Sequence, residues 1–343
     1  MAKTKFGRES RWQLTMSRLE NGWAQIFILG YQGVSPSPEF LGLIARYSVG
    51  GIIFFDRNVP TPADLQKEIS NLTANFKYPP LLMIDQEGGR VNRIKKDFPI
   101  FPAAKTFGDA LDFQSTENAY STTAAELKKL GINVNLAPVA DVASQSGSYM
   151  ADRSFGSDPE KVSRFVSLAV NSIQSQNLLA CAKHFPGIGS LQEDPHKVLP
   201  LSNQGAQDFR EKDFLPFRAA IESNVSMIMT THVNCPALDD KEPVTFSTKV
   251  VTDILRRELN FPGLIVSDDM EMGGIANYFE PASACEKALL AGHDLILLCH
   301  SLEKQKEVLA HFESKIKSDN QFESRVKESL ARIESAKAGL EYA

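Results

Sequence analysis

The sequence predicts a single-domain α/β fold, a (β/α)8 barrel of the TIM type. Eight short apolar runs recur along the chain, amphipathic segments of helical spacing lie between them, and charged or imidazole groups stand at the ends of five runs. The runs are Ala24–Leu29, Gly51–Phe55, Leu81–Ile84, Val134–Ala137, Leu179–Ala182, Met227–Met229, Leu264–Val266 and Leu295–Leu298. They are rich in Ile, Leu and Val, as strands buried on both faces require. Helical spacing marks Pro62–Ala74, Thr116–Leu130, Pro159–Gln176, Asp208–Ser223, Ser247–Leu259, Pro281–Ala291 and Leu302–Ser314, several opening on Pro or a capping Ser, Thr or Asp. A charged helix from about Asp319 to Ala338 forms a C-terminal helical extension over about 315–343. No GxGxxG follows the first run, which disfavours a doubly wound open sheet, and no linker or internal repeat divides residues 1–343.

The net charge of −5 comes without a basic block, which argues against nucleic acid and an anionic membrane surface and leaves a small molecule as the expected partner. Residues 1–18 are polar and mixed in charge, and no stretch of about 18 apolar residues occurs, so the expectation is a cytoplasmic chain with no membrane partner. Cys181, Cys235, Cys285 and Cys299 lack CxxC spacing and read as buried thiols.

Barrel enzymes keep their chemistry where strands end in loops. Those positions here hold Asp56 and Arg57, Asp85, Lys183 and His184, His232, and Asp268 with Asp269. Asp268, just past a buried run, is placed to aim a carboxylate at an electrophilic carbon, whereas Asp269 reads equally as a loop or capping acid. Asp194-Pro195-His196 has the form of a dyad, in which a carboxylate orients the imidazole for proton transfer; the same three residues also suit a solvated loop. Asp85 precedes a glycine pair and offers an acceptor for hydroxyl groups. Arg153 is suited either to clamp an oxygen or to form a surface ion pair with Asp152 or Asp158.

The set IDQEGGRV (84–91), NLAPVADV (135–142), DRSFG (152–156), AKHFPG (182–187), DPH (194–196) and SDDMEMGG (267–274) resembles glycoside hydrolase family 3, and within it the compact bacterial β-N-acetylglucosaminidases of peptidoglycan recycling. The resemblance implies Asp268 as nucleophile, His196 as general acid/base with Asp194 as its partner, and Asp85, Arg153, Lys183 and His184 as the grip on a terminal N-acetylglucosamine. It further implies a retaining mechanism, no cofactor, no metal and a monomer acting on a GlcNAc-containing glycoside. A histidine acid/base repels an incoming anion less than a carboxylate does, which opens phosphorolysis as an alternative to hydrolysis.

Two positions depart from the family pattern: Ile188 replaces the histidine of KHFPGHG, and Pro195 stands where serine is frequent. These keep a sugar-binding barrel with little turnover, or another family 3 glycosidase, as alternatives. Two other enzyme classes also fit isolated residues. Lys183 suits a Schiff-base lyase, and His184, His232 and Asp268 suit a metal hydrolase.

Overall fold

A computed structural model of the chain describes residues 22–143 and 148–340. Eight parallel strands close into a barrel: β1 (Phe27–Leu29), β2 (Gly51–Phe54), β3 (Leu81–Ile84), β4 (Val134–Asn135), β5 (Leu179–Phe185), β6 (Met227–Thr230), β7 (Leu264–Asp269) and β8 (Leu295–Leu298). Each strand pairs with its sequence neighbours, and β1 closes the ring by pairing with both β2 and β8. The (β/α)8 expectation is met. Its walls are apolar on both faces because helices cover the outside and side chains fill the inside.

The covering helices begin where local chemistry starts them. Ser37, Thr61 and Asp158 each accept a backbone N–H of the following first turn, with Pro at the first helical position of Pro38–Tyr47, Pro62–Thr73 and Pro159–Gln174. Each such cap is worth about 1 kcal/mol and fixes where a loop ends. The helix Pro38–Tyr47 was not expected from the sequence, although its apolar residues Phe40, Leu43, Ile44 and Tyr47 share one buried face.

Other boundaries shift. The first strand starts at Phe27 because Trp23–Ile26 winds as a 3-10 turn, and β4 stops at Asn135, two residues early. The last helices divide at Asp319, which caps Asn320–Ala338, so residues expected in the extension from 315 belong to Leu302–Ser318. That final helix is docked on the barrel through Arg332 and Ser329, both bonded to the buried carboxylate of Asp294 beside β8. The expectations for residues 1–18 and 341–343 lie outside the described residues.

Three strands run past their expected ends, β6 by one residue to Thr230, and the two longer extensions carry site residues. β5 continues through Lys183 and His184 to Phe185, and β7 through Asp268 to Asp269. Along β5 the register against β6 slips between Lys183 and Phe185, a bulge that lets two successive side chains serve the same rim.

Candidate active site

A cavity of about 430 Å³ opens at the carboxyl end of the barrel, and its walls include Asp85, Arg153, Lys183, His184, His196 and Asp268. Of the seven residues the resemblance assigns, all but Asp194 line it, and Asp194 is bonded to one that does; the rim residues Asp56, Arg57 and His232 lie outside its lining.

Lys183 anchors the floor. Its Nζ lies 2.6 Å from Asp85 Oδ1 and 2.7 Å from Glu87 Oε1, with the lysine side chain only 2% exposed. Arg93 Nη2 donates to the other Asp85 oxygen at 3.0 Å, and Arg153 reaches Glu87 with two bonds of 2.7 and 2.9 Å. The surface-pair reading of Arg153 is therefore corrected: its guanidinium is buried against Glu87, while Arg90 takes Asp152. Burial pushes the Asp85 and Glu87 carboxyls up, but Lys183, Arg93 and Arg153 outweigh it, holding Asp85 well below the usual carboxylate range and Glu87 down at about 2. Burial likewise pulls the Lys183 ammonium down, and the two carboxylates reverse this and raise it. A lysine held as ammonium is no amine nucleophile, which removes the physical basis of the Schiff-base reading.

His184 sits beside this cluster. Its Nδ1 donates to Asp141 Oδ2 at 2.7 Å, leaving Nε2 to face Arg153 Nη2 at 3.4 Å, and Asp141 Oδ1 accepts the Ile188 N–H at 2.8 Å. Ile188 is buried, so the residue that replaces the family histidine is fixed by its backbone and packs inward. His232 Nε2 donates to the Asp269 carbonyl at 2.9 Å, and its Nδ1 accepts from Thr245 Oγ1 at 2.7 Å. Burial lowers its pKa, consistent with a neutral ring. With both nitrogens used it supports the strand end and has no lone pair for a metal.

Asp268 occupies the end of β7. Its Oδ1 accepts the Asp269 N–H at 2.8 Å, and among the described residues Oδ2 has no hydrogen-bond partner. Asp269 instead bonds the Cys299 N–H, the Glu271 N–H and His300 Nε2, which accounts for it structurally. His196 lies on the loop after β5, its side chain 55% exposed, with Nδ1 2.8 Å from Asp194 Oδ1 and 3.3 Å from the Tyr149 hydroxyl. Partial burial raises the Asp194 carboxyl, but the backbone N–H and ring of His196 outweigh this and hold it lowered, so it stays an acceptor for the imidazole.

These side chains make one arrangement. A carboxylate with an open oxygen and an imidazole with an ionised partner face a cavity whose floor is a network of charge-assisted donors and acceptors, a geometry for attack at a carbon with protonation of a departing oxygen.

Residues 13–336 match the model of the glycosyl hydrolase family 3 N-terminal domain. The chain belongs to glycoside hydrolase family 3. A β-hexosaminidase of Nitrosomonas eutropha is 36% identical over 267 residues, 76% of each protein, and one of Pseudomonas aeruginosa is 33% identical over 269 residues, covering 78% of this chain and 80% of the relative. Among solved structures, a family 3 β-N-acetylglucosaminidase of Paenibacillus superimposes with a TM-score of 0.90 at 34% identity over 94% of this chain. The chain spans 62% of that protein's length. A β-N-acetylhexosaminidase of Beutenbergia cavernae gives 0.87 at 27% identity, covering 93% of this chain and 98% of its own.

Reasoning from sequence missed several residues of this family 3 site. Glu87 and Asp141 lie inside the motifs IDQEGGRV and NLAPVADV, so the motifs themselves carried that signal. Arg93, three residues beyond Arg90, and Tyr149 had no local mark.

Asp213 bears on the loop from below. It packs under Gly187 and accepts from Gln204 Nε2 at 2.8 Å, while Gln204 Oε1 accepts from Ser190 Oγ at 2.7 Å, so one amide ties both ends of the loop together. Burial pushes the Asp213 carboxyl up to about 7. A carboxyl raised on folding binds its proton more tightly in the native state, so its contribution to stability is complete below the unfolded value near 4 and is lost as pH rises to about 7. Thermal melts from pH 4 to 8 are therefore expected to show Asp213→Asn gaining on the parent as pH rises. A constant offset between the two curves would mean that Asp213 does not titrate in this window.

Proposed function

We propose that the chain is a retaining exo-β-N-acetylglucosaminidase that removes a terminal N-acetylglucosamine from small glycosides of the muropeptide type, acting as a monomer in the cytoplasm without a cofactor. The observation that carries the reading is the cavity that Asp268 and His196 share, with Asp194 bonded to the imidazole from outside it. The names of the relatives supply the sugar.

In this mechanism Asp268 Oδ2 attacks the anomeric carbon as the bond to the leaving oxygen breaks. Protonated His196 gives its proton to that oxygen, and a glycosyl ester of Asp268 remains. Water then attacks the same carbon, His196 takes its proton, and Asp268 leaves as carboxylate with the β configuration restored. Asp194 keeps the imidazole oriented and stabilises its cationic form. The Asp85–Lys183–Glu87–Arg153 network and His184 present fixed donors and acceptors to sugar hydroxyls, and two ionised carboxylates there suit hydroxyl donors better than an anionic sugar.

Hydrolysis of an aryl β-N-acetylglucosaminide beside the matching aryl β-glucoside tests the sugar assignment. The expected result is a kcat/KM for the N-acetyl sugar higher by at least about 100-fold, the order of two to three kcal/mol of differential binding. Equal turnover would overturn it. The imidazole acid/base favours phosphorolysis as a second reading, and the same assay in phosphate buffer decides it by whether sugar 1-phosphate forms.

A further inference from the structure

We propose that Gly273, Gly274 and Asn277, on the segment that follows the nucleophile, are positioning residues that seat the acid/base loop over the cavity; this rests on the reading of His196 as acid/base. Residues 194–198 form a tight turn, with the Lys197 and Val198 N–H groups both directed at the Asp194 carbonyl. The next three carbonyls all point the other way, onto one short stretch of chain. Pro195 O accepts the Gly274 N–H at 3.1 Å, His196 O accepts the Gly273 N–H at 3.0 Å, and Lys197 O accepts from Asn277 Nδ2 at 3.2 Å.

The approach leaves no room for a side chain. A Cβ on Gly273 would stand 2.7 Å from Lys197 O and 2.8 Å from His196 O, and one on Gly274 would stand 2.9 Å from Pro195 O and 3.0 Å from Val198 O. These neighbours are backbone atoms of the loop, so a methyl group is accommodated only by moving the loop away. The seat itself is held firmly. Met270 N–H bonds the Leu297 carbonyl of β8, Glu271 accepts the N–H groups of His300 and Ser301, and Asp269 accepts that of Cys299.

Asp268 begins this same stretch. One piece of chain thus carries the nucleophile and, five residues later, the donors that locate the acid/base. Three neutral hydrogen bonds, each of modest net strength, hold the loop on this seat. They also explain how an exposed histidine is held at a working position, since Asp194 orients its ring but belongs to the same turn and cannot place the turn itself.

The test compares Gly273→Ala, Gly274→Ala and Asn277→Ala with His196→Ala on two substrates, a 2,4-dinitrophenyl β-N-acetylglucosaminide and an unactivated GlcNAc disaccharide. The dinitrophenyl group departs without protonation, so its kcat/KM reads the nucleophile and sugar grip alone. Displacing the acid is expected to lower kcat/KM for the disaccharide by about 10- to 100-fold in either glycine variant and less in Asn277→Ala, with the dinitrophenyl substrate within about threefold of the parent. A general defect in folding would depress both substrates together, and that result, or an unchanged ratio, overturns the seat. His196→Ala separates the two levels of the argument. If it lacks the leaving-group dependence, the acid/base assignment fails. If it shows the dependence and the glycine variants keep the parent ratio, only the seat fails.

Discussion

Asp268→Asn is expected to lower kcat on an aryl β-N-acetylglucosaminide by about 10⁴- to 10⁶-fold, the scale on which removal of a covalent nucleophile is felt. Stability should hardly change. Asparagine keeps an Oδ1 that can accept the Asp269 N–H at the observed 2.8 Å, and the oxygen it replaces with an amide is the one that makes no hydrogen bond among the described residues. Competitive binding of free N-acetylglucosamine should also persist, because the Lys183 network is untouched. Retained turnover in the variant, or loss of sugar binding together with activity, would move the nucleophile elsewhere.

The second large effect is expected from Lys183→Met. The substitution keeps a chain of similar reach but removes the ammonium from between Asp85 and Glu87, whose side chains are 13% and 6% exposed. Breaking a buried ion pair by removing one partner costs about 3–5 kcal/mol, and here two carboxylates lose a counterion while Arg93 and Arg153 remain. The loss should depend on pH in a defined direction. Both carboxyls are lowered on folding, so they contribute stability above their unfolded values near 4 that is lost as pH falls through the folded ones. Without Lys183 those folded values rise. Urea melts are thus expected to show a large deficit at pH 7 that narrows towards pH 4, and Glu87→Gln added to Lys183→Met should recover part of it. A deficit equal at both pH values would assign the lysine a packing role.

Much of the barrel is legible in the chain because a strand buried on both faces must be apolar throughout, and a run of four such residues is visible without knowing its neighbours. Strand ends are less legible. Lys183, His184, Asp268 and Asp269 are polar and read as loop, yet all four continue their strands, since the ladder with β6 or β8 supplies hydrogen bonds that no local propensity encodes. Pro38–Tyr47 was missed although its cap and apolar face are ordinary, because Gly42 interrupts the helical pattern.

What the sequence by itself determined is which groups stand at the rim: Asp85, Lys183, His184 and Asp268 follow from strands whose apolar period is local, whereas Asp194 and His196 were marked by the resemblance of their loop to family 3, their spacing alone suiting a solvated loop equally. Only the tertiary structure decided what each of them touches. Lys183 meets Asp85 across 98 residues and Arg153 meets Glu87 across 66, while Tyr149 reaches His196 and Gly273 reaches the His196 carbonyl from separate loops. Such pairings depend on the closure of the barrel, which brings the ends of all eight strands to one rim, and closure is a property of the ring of strands that no single stretch of chain contains.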